Sequence, residues 1–560
     1  MLSRATDLSP PKPGGRNLLT RFAVDLILLG LSALLFALAF PSFLSIWGWF
    51  PLAYLALFPV FIVIRRNNWL GVILLGFLYG YGAYALFNFW LTKFHPLANI
   101  IVPVIYAVYF MALFPVLKLA DRLYPKHGYI VQLLIWMAFE YLRTLGFLGY
   151  PYGILGYSQY LFLPLIRISA LTGVWGVTAL VVFPSVYLGN ALKEVTEINF
   201  RSWLDAVRSF YSRHRVSPIV YAVLFLAAIV YGLVQKTDFS DQRQWRVALI
   251  QQNVDPWHGG QKAYETSFEI HSRLSTEAQR KHSPDIVIWS ETAFVPGIDW
   301  HTRYRTDRDR YRLVKELREY LNQQTVPFVI GNDDGQLERI GSPPVNWDGT
   351  LNRVDYNASI LYVDGEIVDT YRKLHLVPFT EGFPFEESLP RIYNWLKEAD
   401  THFWEKGNEY TVFETDGVKF STPICFEDTF GYLSRGFVSR GAQLIVNMTN
   451  DSWSKSVASE MQHMAMSVFR AVENKRTVVR ATNGGITCTI EPDGRITSML
   501  EPFVESYLVH DVPVYDDVKT LYTRWGDWLA VGFCGAAVVA LLVGIGAALK
   551  RKFANQKDAG

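Results

Sequence analysis

Residues 418–430 read VKFSTPICFEDTF. Val418, Phe420 and Ile424 mark a short apolar strand, after which the chain presents Cys425 and then Glu427 and Asp428. A buried strand that ends in a thiol beside carboxylates places reactive groups at the edge of a rigid scaffold. The same texture extends across residues 240–515. WRVALIQQNV (245–254), PDIVIWSE (284–291), VPFVIGN (326–332), ASILYVDG (358–365) and AQLIVNMTN (442–450) are near-continuous apolar runs separated by polar helical stretches. Such runs suit strands covered on both faces, and Asp364-Gly365 and Asp493-Gly494 read as hairpin turns. The segment is expected to fold as an α/β domain.

The flanking sequence is different. A membrane helix needs about 20 mostly apolar residues, and eight runs meet that description: 22–40, 44–64, 69–91, 99–117, 129–147, 167–190 and 217–235 before the α/β segment, and 526–549 after it. Basic residues fall on alternate connections, at Arg65-Arg66, at Lys118, Arg122 and Lys126, and at Lys193, Arg201, Arg208, Arg213 and Arg215. With Lys12, Arg16 and Arg21 in the N-terminal tail and Lys550-Arg551-Lys552 at the other end, the charge pattern predicts both termini in the cytoplasm. The expected organisation is a cytoplasmic tail (1–21), a seven-helix base (22–236), an extracytoplasmic α/β domain (240–515), an eighth helix (526–549) and a second cytoplasmic tail (550–560).

Composition narrows the partners. Of 560 residues, 50% are hydrophobic, which excludes a disordered chain, and 53 basic against 51 acidic residues leave no basic footprint for nucleic acid. Three cysteines, Cys425, Cys488 and Cys534, supply neither a disulfide framework nor metal-ligand spacing. No metal and no cofactor is called for.

Three strand ends carry the candidate chemistry. PDIVIWSETAF delivers Glu291, TYRKLHLVPFTEGFPF delivers Lys373, His375 and Glu381, and the quoted stretch delivers Cys425 and Glu427. A thiol becomes a good nucleophile with a base or a cation beside it, and Glu and Lys supply both. Singly, each residue also reads as core, cap or surface charge. In this order, with separations of 82 and 52 residues, Glu291, Lys373 and Cys425 resemble the Glu-Lys-Cys triad of the nitrilase superfamily. NMTNDSWS (447–454) and RAVENKRTVVRATNGG (470–485) extend that resemblance.

Seven spans before such a domain and one after it look like bacterial apolipoprotein N-acyltransferases. FEYLRTLGFLGYPYGILGYSQY (139–160), IQQNVDPW (250–257) and HLVPFTEGFPF (375–385) resemble the same family. The resemblance implies an αββα nitrilase-like domain on the outer face of the inner membrane, working as a monomer. It also implies a two-step transfer. Cys425, with Glu291 as base and Lys373 stabilising the oxyanion, takes an acyl chain from a phospholipid such as phosphatidylethanolamine. The thioester then passes that chain to the α-amino group of a diacylglyceryl-cysteine lipoprotein. Glu381 and Glu427 would support the site.

Residues expected to touch substrate are Trp257, Phe383, Phe385, Phe426, Trp453 and Tyr152. Phe426 stands where the family commonly has Tyr, and Pro151-Tyr152 where Pro-Trp is usual. Aromatic residues across 379–404 fit either ordinary core or a membrane-touching arm. Glu140 and Arg143 fit an ion pair or a lipid-entry wall. Asp25, near the start of the first span, is expected to reach the interface freely. A tethered amidase acting on a small C–N substrate and a noncatalytic lipoprotein-binding factor are the competing readings.

Overall fold

The computed structural model describes residues 18–94, 98–193, 195, 200–255, 259–398 and 403–557. Trp257 lies outside them. Six described helices are long and apolar enough to cross a bilayer: Leu19–Ala39, Trp69–Phe87, Ala98–Leu123, Val174–Leu192, Val216–Val234 and Trp528–Gln556.

Three expected spans differ in form. The run 44–64 is not one helix but a 3-10 turn, Phe50–Tyr54, followed by Phe58–Arg66. Pro51 and Pro59 lack backbone N–H groups, and Gly48 turns at φ +74°, so the ladder cannot run through. The run 129–147 stops at Leu142, giving a rod of about 22 Å, short of a bilayer's hydrocarbon core of about 30 Å. The run 167–190 breaks at Gly173, φ +62°, before the helix Val174–Leu192 begins. Asp25 does not reach freely outward. It is buried, accepts a 2.8 Å hydrogen bond from Asn67 Nδ2 and lies 3.7 Å from Arg66.

Among the described residues, twelve strands of the α/β domain form two six-stranded sheets. The strands are β1 (Gln244–Gln251), β2 (Ile286–Ile288), β3 (Phe328–Leu337), β4 (Arg353–Val363), β5 (Glu366–Arg372), β6 (Phe413–Thr415), β7 (Val418–Ser421), β8 (Leu444–Thr449), β9 (Thr477–Thr482), β10 (Cys488–Ile490), β11 (Ile496–Met499) and β12 (Ser506–Pro513). Their orders are β12-β1-β2-β3-β4-β5 and β11-β10-β9-β8-β7-β6. Each sheet has three parallel strands, β1-β2-β3 or β7-β8-β9, flanked by antiparallel ones.

The sheets pack face to face with helices outside, and β1 displays the layering. Trp245, Val247 and Leu249 share a core with Phe420 of the second sheet, the Trp245 and Phe420 rings being 5.3 Å apart. Ala248 and Ile250 point the other way, onto Leu274 and Ala278 of the helix Gln261–His282. Strand alternation therefore divides one apolar run between two cores. On the second sheet the helix Val457–Asn474 is buried from Ala458 to Asn474, because the membrane base covers the face that the sheet leaves free. Phe469 packs on Tyr157 at 5.0 Å, Trp90 Nε1 donates to Gln462 Oε1 at 3.0 Å, and Arg167 pairs with Asp493 at 2.6 Å.

Candidate active site

The three strand-end residues converge. β2 ends at Ile288, and the chain turns through Thr292 at φ +46° to present Glu291, which is 5% exposed. β7 ends at Ser421, and Cys425 opens a 3-10 turn, Cys425–Thr429, with φ +51°. A non-glycine residue in the left-handed region is costly and persists where surrounding contacts over-determine it. Here Asn447 Nδ2 donates to the carbonyls of Pro423 and Cys425, at 3.1 and 3.3 Å. β5 ends at Arg372, so Lys373 lies just beyond the strand, and its N–H bonds the Asn357 carbonyl at 2.9 Å.

Lys373 Nζ donates to Glu381 Oε1 at 2.8 Å and to Glu291 Oε1 at 3.3 Å. Glu291 also accepts from Asn357 Nδ2 and from the backbone N–H of Asn450, each at 2.8 Å. Glu381 accepts the N–H of Val377 at 2.8 Å. Burial favours a neutral amine at Lys373, but the carboxylates of Glu381 and Glu291 prevail and hold it protonated above its ordinary range. Burial and the Glu291 charge push the Cys425 thiol well above its ordinary value, with Lys373 opposing. Cys425 thus rests as a neutral thiol, held so first by burial and then by the Glu291 carboxylate, with the Lys373 ammonium opposing, an arrangement suited to base-assisted attack on a carbonyl.

Glu427 ties the parts together. Its two oxygens accept from the N–H groups of Leu374 (2.6 Å), His375 (2.9 Å) and Ile424 (2.7 Å) and from Tyr371 Oη (2.8 Å). One carboxylate thus spans the lysine's strand end and the cysteine's turn. Burial pushes it up to about 7, and the N–H of Ile424 and the Lys373 charge act against that rise.

A buried network lies behind the turn. His463 Nε2 meets Asp428 at 2.7 Å, His463 Nδ1 meets Asp451 at 2.9 Å, and Arg480 pairs with both carboxylates. Burial works against a charged imidazole, yet the two aspartates raise His463 to about 9. His375 turns away from Lys373: its Nδ1 is 2.9 Å from Tyr432 Oη, and its ring lies 4.1 Å from Phe430. Lys373 and His375 do not share a strand face, because β5 stops before both.

The aromatic residues form two groups. Phe426 lies nearly parallel to Tyr150 and Tyr152, at 6.3 and 6.5 Å, so membrane-base side chains face the cysteine's turn. Trp453 packs on Trp90 at 5.6 Å. Phe379, Phe383 and Phe385 surround Phe147, at 5.3, 6.4 and 5.5 Å, placing the root of the 379–404 segment on the loop that follows the helix Gly128–Leu142. Phe383 is buried, whereas Phe385, Leu389, Ile392 and Trp395 are exposed. Glu140 and Arg143 make a buried ion pair at 2.6 Å, and Arg143 also donates to the carbonyls of Tyr150 and Tyr152.

The sequence reading missed Asn357, Asn450 and Tyr371. A polar residue inside an apolar strand, as in YNASI, was the available signal for Asn357. Gly331 was also unmarked; a Cβ there would stand 2.6 Å from Thr292 N and 2.8 Å from Glu291 Cα, so β3 needs glycine where Glu291 turns past it.

Comparison with known proteins covers both parts. Residues 246–517 match the carbon-nitrogen hydrolase family and residues 32–187 match the apolipoprotein N-acyltransferase N-terminal domain. A Treponema denticola protein named apolipoprotein N-acyltransferase 1 is 44% identical over 92% of this chain and 95% of its own length. The Treponema pallidum protein of the same name is 43% identical over 93% and 95%. A Geobacter metallireducens apolipoprotein N-acyltransferase is 32% identical over 92% and 95%.

Proposed function

This chain belongs to the apolipoprotein N-acyltransferase family, and from that premise we propose how its residues divide the transfer of an acyl chain to a lipoprotein amine. The observation that carries the proposal is the convergence of Glu291, Lys373 and Cys425 at three strand ends facing the aromatic surface of the membrane base.

In the first half-reaction Glu291 takes the Cys425 proton as sulfur attacks the sn-1 ester carbonyl of a phospholipid, phosphatidylethanolamine in the simplest case. The oxyanion forms between Lys373 Nζ and the backbone N–H of Phe426. The carbonyl re-forms, the C–O bond breaks, the proton returns from Glu291 to the leaving lysophospholipid oxygen, and a thioester remains on Cys425. In the second half the α-amino group of the diacylglyceryl-cysteine attacks that thioester. Glu291 takes the amine proton and returns it to the departing thiol, which regenerates the enzyme. Glu381 holds Lys373 in place, and Glu427 sets the distance between lysine and thiol. Phe383, Phe385, Phe426, Trp453 and Tyr152 form the apolar surround for the acyl chain.

The topology proposed with this chemistry has eight crossings, the α/β domain outside the inner membrane and both termini in the cytoplasm. The alternation of basic connections supports it. Phe58–Arg66 and Gly128–Leu142 would complete their crossings with the turns beside them. Both substrates are bilayer lipids, and extracting a chain into water costs about 0.8 kcal/mol per CH₂. A site built against the membrane base avoids most of that cost.

The test is the intact mass of the purified protein after incubation with phosphatidylethanolamine of defined acyl chains, beside Cys425→Ala. An added acyl mass that hydroxylamine removes and the variant lacks is the expected result. Steady release of fatty acid without an adduct would favour a tethered hydrolase, and no lipid turnover a binding protein.

A further inference from the structure

The helix Val216–Val234 ends against the α/β domain, where Arg167 NH1 donates to the Gly232 carbonyl at 2.8 Å and Lys475 Nζ to Gln235 at 2.9 Å. Its first residue is about 27 Å away along the helix axis, at the far side of the base. There it follows the helix Phe200–His214, FRSWLDAVRSFYSRH, whose apolar and basic residues segregate. Phe210 seats this helix, buried against Tyr129 and Tyr187 at 5.6 and 5.0 Å, and Tyr129 Oη lies 2.6 Å from Ser217 Oγ. The corner between the two helices is therefore fixed.

In that corner is an apolar groove of about 360 Å³ between Tyr211 and the stripe Pro218, Ile219, Ala222, Val223 and Leu226. The stripe spacing follows one face of a helix. Ile219, Val223 and Leu226 are 52, 61 and 62% exposed, on a helix only about a tenth buried inside the protein. In a membrane base such a face is covered by lipid tails. Arg208 and Arg215 stand one turn to either side of Tyr211. Among the described residues Arg208 has Asp205 at 3.9 Å, both side chains being exposed, and Arg215 has no carboxylate partner. Three before and four after Tyr211, the two guanidinium groups stand on the helix face that Tyr211 presents to the groove, an arrangement that matches a phosphate joined to an acyl chain.

We propose that this corner is a binding site for one anionic phospholipid of the leaflet remote from the α/β domain, with an acyl chain in the groove and its phosphate between Arg208 and Arg215. The lipid is not a substrate, since the triad lies at the other side of the base. The proposal rests on reading the chain as a membrane protein and not on its acyl chemistry.

The test is native mass spectrometry of the full-length protein in detergent, titrated with phosphatidylglycerol or phosphatidylcholine. The wild type should retain one phosphatidylglycerol per chain in preference to phosphatidylcholine. Arg208→Gln with Arg215→Gln should weaken retention about 25-fold, each basic residue contributing about fivefold. Ala222→Trp, which fills the groove and leaves both charges, should also weaken it. Equal retention by all three proteins, or equal retention of both lipids, would mean unspecific annular lipid and overturn the proposal. So would a second protein chain occupying the groove, seen as a dimer mass that Ala222→Trp removes. Thioester formation measured on the same samples reports separately on the catalytic reading.

Discussion

Glu291→Gln removes the carboxylate placed to take the thiol proton while sparing the surrounding hydrogen bonds. Glu291 accepts from Asn357 Nδ2 and Lys373 on one oxygen and from the Asn450 N–H on the other. In the variant the amide oxygen can keep Asn450, and Asn357, whose Oδ1 has no partner, can turn to accept from the new NH₂ group. Lys373 retains Glu381. The fold should lose no more than about 1 kcal/mol. The chemistry should lose far more. Burial and the Glu291 charge hold the thiol well above its ordinary value; the variant removes that charge, but burial, the larger cause, remains, so sulfur still needs a base to lose its proton. General-base assistance contributes about 10² to 10⁴ in rate. The expected outcome is a fall in single-turnover acylation of at least about 100-fold at pH 7, with an unchanged melting temperature. The residual rate should rise about tenfold per pH unit, because hydroxide must now generate the thiolate. A variant that acylates near the wild-type rate at neutral pH, or whose residual rate is flat with pH, would refute the assignment of Glu291 as base.

Three further outcomes follow from the same geometry. In Glu427→Gln the new NH₂ group faces a backbone N–H, leaving one of the buried donors from Leu374, His375 and Ile424 unpaired. Stability should drop by about 1–3 kcal/mol, and acylation should slow; thermal melting and adduct mass check both, and no change in either contradicts the bridging role. Gly331→Ala pushes a methyl group into Glu291 and Thr292, which should cost about 1–3 kcal/mol and reduce acylation by displacing the base; wild-type activity in this variant would mean that the strand end shifts freely. His463, raised to about 9 by its aspartates, contributes stability that is complete below about pH 6.5 and lost as pH rises through about 9, up to about 3 kcal/mol. Melting curves across that window should slope downward in the wild type and flatten in His463→Gln, and parallel curves would remove the charged imidazole from the account.

Much of this architecture is legible because it is written in local patterns. Apolar strands read directly, as do reactive residues placed just past their ends, and the two sheets formed where the runs predicted them. Glu291, Lys373 and Cys425 stood out because each follows its own strand, and their resemblance to the nitrilase triad grouped them. Their supports did not, because Asn357, Asn450 and Tyr371 act through pairings of strands distant in sequence. The membrane base failed locally for a similar reason. Hydropathy counts apolar residues but cannot tell a continuous helix from one broken at Gly48, Pro51 or Gly173. Asp25 illustrates the same limit, since its partners Asn67 and Arg66 belong to another segment.

The base does more than hold the α/β domain at the bilayer. Arg143, fixed by Glu140 and by the carbonyls of Tyr150 and Tyr152, shapes the loop whose two tyrosines lie against Phe426. In the proposed mechanism Cys425 is the nucleophile, and the N–H of Phe426, the next residue, is one of the oxyanion donors. Gln462 takes the other side: it accepts from Trp90 and donates to the Pro41 carbonyl, while the next residue, His463, meets Asp428 of the cysteine's turn. Both walls of the nucleophile's turn thus pass through groups that membrane helices position. An isolated α/β domain would expose the whole helix Val457–Asn474 on its uncovered side, including Arg470 and Glu473, which now bond to Tyr157 and to the Val174 N–H. The α/β domain alone would therefore lose the membrane-base contacts that brace the turn of Cys425, the nucleophile of the proposed mechanism.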